Sequence, residues 1–211
     1  MSKKIKTPAL TNTIDARALE SRAIDSARAA IAHFEGLALT DAKHEKTAKQ
    51  WANELRVTLT PSLFDDAAKL VAQGDISSAT IERALGALVD VDGKRAPVYG
   101  LVKLASIVRS LASGSKHHSM SDLHRACILA LSDDWDTNEN VHKGIARECF
   151  VSVTGTAPTQ RSSSAYALRS LGLIEESTQG RVGLMRWTDS DTARRLATIV
   201  RESSPLVVKG A

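Results

Sequence analysis

The sequence predicts a mainly α-helical protein, an N-terminal bundle of helices followed by a smaller domain of helices closed by a two-stranded ribbon. Three observations predict it. Apolar residues recur at helical spacing through most of the 211-residue chain. Aromatic residues make up only 4% of it, so the core must be built from Leu, Ile, Val and Ala, which suits helices packed on helices. After Gly172 the apolar period changes from helical to alternating.

Taken in order, residues 1–13 are polar, basic and proline-containing, and read as a flexible arm. An Ala-rich helix is expected over 15–35, with Ile24, Ala27, Ile31 and Phe34 on one stripe and Gly36 as its stop. That stripe is either core or an interface with a second copy or another protein. A second helix is expected from near Asp41, turning Ala48, Trp51, Ala52 and Leu55 inward. Pro61 opens a third, with Leu63, Phe64, Ala67, Leu70 and Val71 on one face, and Gly74 ends it. Ser77 or Ser78 caps a fourth, whose stripe is Ile81, Leu85 and Leu88. Asp92-Gly93 signals a turn, and a fifth helix follows from Pro97 to about Ala112.

The polar run 114–120 has no apolar period and reads as a linker, so a helical domain over 14–113 gives way to a second domain over 121–204. There Ser119 or Ser121 caps a helix carrying Leu123, Cys127, Ile128 and Leu131. The acidic stretch 133–139 reads as a loop, and a further helix is expected over 140–150. Pro158 opens the next helix, which runs to Leu171. The ribbon follows, then a last helix over 190–202 with Ala193, Leu196, Ala197 and Val200 inward. Residues 205–211 read as a tail.

The composition narrows the chemistry. A net charge of +4 permits nucleic-acid binding without demanding it. Two cysteines, Cys127 and Cys149, without CxxC spacing do not form a disulfide framework, which points to a reducing cytoplasm. The opening lysines have no apolar run behind them, unlike a secretory signal, and no run reaches the roughly 18–20 apolar residues of a membrane span. Asp134, Asp136 and Asn138 imitate the start of an EF-hand loop, but Glu139 stands where glycine is required and Ile145 at the twelfth position. His117, His118 and His124 lack the partners of a tetrahedral metal site. Cys127 and Cys149 read as buried structural thiols, and Trp51, Trp135 and Trp187 as packing residues. No phosphate-binding GK[ST] loop or GxSxG elbow occurs. No enzyme, cofactor or metal is therefore expected.

The second half carries a more specific pattern. Three helices, a hairpin directly after the third, and a closing helix resemble the winged helix-turn-helix superfamily. The resemblance rests on Leu168, Leu171, Gly172, Leu173, Ile174 and Glu175 within the segment 162–188, and it extends over 121–204. In that superfamily such a phrase ends the recognition helix and feeds into the wing. One departure stands beside it: the connection 151–157 is longer than the usual turn of about 3–4 residues.

The resemblance implies a non-catalytic protein that binds double-stranded DNA. On a helical wheel, Leu168, Ala165, Leu171 and Ser164 share one side of the third helix. The opposite side holds Ser162, Ser163, Tyr166, Arg169 and Ser170, with Gln160 and Arg161 in the exposed first turn. No acidic residue occurs between Cys149 and Glu175. Hydroxyls of this size let a helix approach phosphates, and arginine reads guanine bidentately; a plain solvated face is the competing account. Arg181, beside the ribbon turn, is placed to reach a minor groove or backbone, while Arg186 either does likewise or pairs with Glu175 or Glu176. Lys143 and Arg147, four apart on the second helix, face phosphate or only solvent. Lys3, Lys4 and Lys6 form an electrostatic arm or nothing of consequence.

Against this, residues 116–211 hold 12 Lys/Arg and 11 Asp/Glu, so the DNA-binding half is barely basic. Two functions therefore stay open. One is a sequence-specific transcriptional regulator whose helical first half mediates dimerisation or partner contact. The other is an adaptor or structural subunit of a replication, partition or defence complex, with the winged domain contacting protein or holding DNA without reading it.

Overall fold

Eight helices and a small antiparallel sheet make up the computed structural model, which describes residues 14–40, 45–86, 98–137, 145–146, 158–179, 182–188 and 190–203. The helices are α1 (Ala16–Thr40), α2 (Glu45–Thr58), α3 (Pro61–Ala72), α4 (Ser78–Gly86), α5 (Val98–Ser113), α6 (Asp122–Thr137), α7 (Pro158–Ser170) and α8 (Asp191–Glu202). The strands are β1 (Ile145–Ala146), β2 (Ile174–Gln179) and β3 (Val182–Trp187), in the order β1-β3-β2. The expected arm 1–13, the segment 151–157 and the tail 205–211 lie outside the described residues.

Local signals place most helix ends. Asp15 caps α1, its Oδ1 accepting from the Arg17 and Ala18 amides at 2.9 and 3.2 Å. Leu19 and Ala23 are the buried residues of its first turns, whereas Ile24 is half-buried, and the side chains of Ala27, Ile31 and Phe34 lie outside the described residues. Gly36 does not stop the helix, which continues to Thr40. An exposed glycine inside a helix costs only about 1 kcal/mol relative to alanine, and the neighbouring turns absorb that. Pro61 opens α3 as expected, and its five predicted inward residues are the five that are buried. Gly74, at φ 77°, closes it: the Gly74 amide donates to the Val71 carbonyl and the Asp75 amide to that of Leu70, both at 3.0 Å. Ser77 caps α4 through the Thr80 amide and Ser121 caps α6 through that of His124.

Two expectations in the second half are corrected. The acidic run read as a loop is helical as far as Thr137, because α6 continues through it. The helix expected over 140–150 is not continuous, because Ile145 and Ala146 are strand and pair antiparallel with Met185 and Leu184. A short apolar segment fits either period, and the open edge of β3 decides the matter by supplying backbone partners. Lys143 and Arg147 flank this strand and lie outside the described residues.

The hydrophobic cluster runs without a break from Leu19 in α1 to Val200 in α8. At its centre α5 is buried on nearly every side and packs on α2, α3, α7 and α8. The segment expected as a linker, 114–120, is a tight connection: the His117 amide donates to Ser110 Oγ at 2.9 Å, and Met120 is 1% exposed. The closing helix is held from both halves. Arg195 grips both carboxylate oxygens of Asp75 at 2.9 and 2.8 Å and reaches the Leu111 carbonyl. Arg125, buried on α6, bonds Asp122 and the Ser203 carbonyl. No helix among the described residues is long and apolar enough to cross a membrane.

Candidate nucleic-acid interface

The helix α7 ends on a left-handed glycine, Gly172, at φ 69°. The Leu173 amide donates to the Leu168 carbonyl and the Gly172 amide to that of Arg169, each at 2.9 Å. These two bonds satisfy the last carbonyls and fold Leu173 back over Leu168, so the chain passes into β2 with no spacer. The ribbon is in register from Ile174↔Trp187 to Gln179↔Val182. Its base is closed by Thr188, whose amide bonds Leu173 and whose hydroxyl donates to the Gly172 carbonyl, both at 3.0 Å.

The polar face assigned to α7 is narrower than the wheel implies. Arg169 is exposed, and Tyr166 and Ser170 are half-buried. Ser163 is 8% exposed and so is turned into the packing, which corrects its placement on the open face. Tyr166 is half-buried, its ring lying over Gly100 of α5, where an added Cβ would overlap it. The wheel failed because it ranks serine and tyrosine as polar, whereas small hydroxyls and rings are buried readily once a neighbouring helix supplies partners. Gln160, Arg161 and Ser162 belong to the opening turns of α7, and their side chains lie outside the described residues.

On the ribbon, Arg186 takes the second of the two roles left open for it. It pairs with Glu175 directly across the strands, its Nε and Nη2 both donating to Oε2, at 3.0 and 2.7 Å. Both side chains are about half exposed, so the pair is worth at most about 1 kcal/mol. Arg181, at the turn, lies outside the described residues.

Behind α7 is a polar cluster that the sequence reading passed over. Lys103 of α5 is 7% exposed and donates to Ser164 Oγ at 3.0 Å. Ser164, itself fully buried, also shares a hydrogen bond of 3.1 Å with His124 Nδ1 of α6, and the buried Cys127 lies one turn further along α6. Burial pushes the Lys103 ammonium down to about 8 and the His124 imidazole down to about 3, and it raises the Cys127 thiol. His124 Nε2 has no partner among the described residues. Ser164 was rightly placed inward, but as an apolar-side neighbour rather than as a hub. The available signal was Lys103 itself, the one charged residue in the otherwise uncharged stretch 98–108.

Ser164 and Cys127 are both buried, at 0% and 1% exposure. Among the described residues, no three His, Cys, Asp or Glu side chains gather to hold a metal ion. Compared with known proteins, the chain matches no protein family, no curated protein and no solved structure.

Proposed function

We propose that this protein binds double-stranded DNA through a winged helix and performs no catalysis. The observation that carries the reading is the connectivity: helix α6, strand β1, helix α7 and ribbon β2–β3, with the sheet ordered β1-β3-β2. A helix running straight into a ribbon supports the resemblance carried by Leu168 to Glu175. In this reading the first turn of α7, with Gln160, Arg161 and Ser162, approaches the major groove together with exposed Arg169. The ribbon and Arg181 lie along the neighbouring backbone. Ser163 and Tyr166 hold the helix and touch no base.

Transcriptional regulation is the leading role. Selection from a random duplex pool should enrich one sequence, bound at least about 10³-fold more tightly than bulk duplex. Arg169→Ala should weaken that binding by roughly 1–3 kcal/mol and leave the fold intact. Equal affinity of variant and parent would remove Arg169 from the interface, and an absence of duplex binding at low salt would refute the reading.

A second reading, an adaptor or structural subunit of a nucleoprotein complex, draws on a specific observation. Two side chains assigned to the groove, Ser163 and Tyr166, are taken up by packing, and Arg186 is engaged by Glu175. A steep salt dependence with no preferred sequence would select this alternative.

A further inference from the structure

We propose that Lys103 of α5 is the positioning residue for α7, and that its bond to Ser164, with Gly100 cradling Tyr166, sets the rotation at which α7 meets duplex DNA. The proposal rests on the winged-helix reading for its functional half. It makes the N-terminal helical half a working part of the DNA-binding unit, where the sequence had pointed to a separable partner-binding module.

A lysine that is only 7% exposed, with Ser164 Oγ accepting from its ammonium, is an expensive choice where methionine would fill the same volume. Apolar contacts are non-directional, so a helix held by them alone can roll or slide at small penalty. A buried ammonium changes this: any roll of α7 that withdraws Ser164 Oγ from its 3.0 Å contact strips Lys103 of a buried acceptor. His124 Nδ1, at 3.1 Å from the same oxygen, holds Ser164 from the α6 side.

A second, steric key lies three residues away on α5. Gly100 is the position where the Tyr166 ring sits so close that a Cβ would overlap it. Ring and notch engage at only one rotation of α7. Gly100 and Lys103 lie about one turn apart on α5, and Ser164 and Tyr166 are two residues apart on α7. Arg169, three residues beyond Tyr166, is exposed.

The test uses the full chain, Lys103→Met, Ser164→Ala and the double variant, with three readouts. The nuclear Overhauser contact between the Gly100 α-protons and the Tyr166 ring reports the rotation of α7 without any DNA. Chemical unfolding reports stability, and titration with the selected duplex reports affinity. The expected result is a lost or broadened Gly100–Tyr166 contact and affinity about ten-fold weaker, the size of losing one base contact. Stability of Lys103→Met should be undiminished, and the double variant should be no worse than either single one. Retention of the contact at parental strength in both single variants would overturn the proposal. So would a fall in the stability of Lys103→Met that accounts for its affinity loss, since that is an ordinary structural role. A lost contact with unchanged affinity would show that α7 does not read DNA and would overturn the functional half. If the parent binds no duplex, the winged-helix function fails by itself, and the Gly100–Tyr166 contact still decides whether Lys103 positions α7.

Discussion

Replacing Lys103 by methionine should stabilise the protein at neutral pH and destabilise it at high pH, a reversal of sign that few buried substitutions give. Burial holds the folded-state pKa of Lys103 at about 8 against 10.5 for a free lysine. At about 1.4 kcal/mol per unit, the charged form costs the folded state about 3 kcal/mol at pH 7. Because the folded pKa is the lower one, the unfolded chain binds the extra proton between pH 8 and 10.5, and stability climbs with pH across that window. Below pH 8 both states are protonated and the cost is paid in full. Methionine removes the ammonium but also the donor to Ser164 Oγ, a loss of about 1 kcal/mol. The variant should therefore be about 2 kcal/mol more stable than the parent at pH 7 and about 1 kcal/mol less stable above pH 10.5. Urea unfolding of both proteins at pH 7, 9 and 10.5 measures the difference. A variant less stable at pH 7 by several kcal/mol, with no change in the difference on raising the pH, would refute the reasoning.

Two further outcomes follow from the same interior. Burial lowers the His124 imidazole from 6.5 to about 3, so its contribution is complete above pH 6.5 and is lost as pH falls towards 3. Acid unfolding of His124→Leu should accordingly begin at lower pH than that of the parent, and an unchanged acid midpoint would count against a buried neutral imidazole. Gly100→Ala should destabilise the fold by about 1–3 kcal/mol by driving a methyl group into the Tyr166 ring. Adding Tyr166→Ala should return part of that loss in thermal unfolding, because the offending ring is gone.

What the chain determines by itself is its punctuation and its repeating stripes. Pro61 and Gly74 bracket α3, Ser190 caps α8 through the Ala193 amide at 3.2 Å, and Gly172 turns α7 into the ribbon. Each of these depends on backbone chemistry within a few residues, so each can be read from neighbours in sequence. Where the local signal is weak, tertiary partners prevail: Gly36 stays helical, the acidic run extends α6, and Ile145–Ala146 join β3 in place of a helix. The face that α7 presents, and the polar cluster behind it, were decided only by tertiary structure. Ser164 is buried because Lys103, 61 residues earlier, and His124, 40 residues earlier, supply its hydrogen bonds. The half-buried Tyr166 ring lies against α5 where a glycine leaves room for it. Periodicity sorts side chains by polarity, whereas burial follows from which partners the other helices bring, and no stretch of local sequence contains that information.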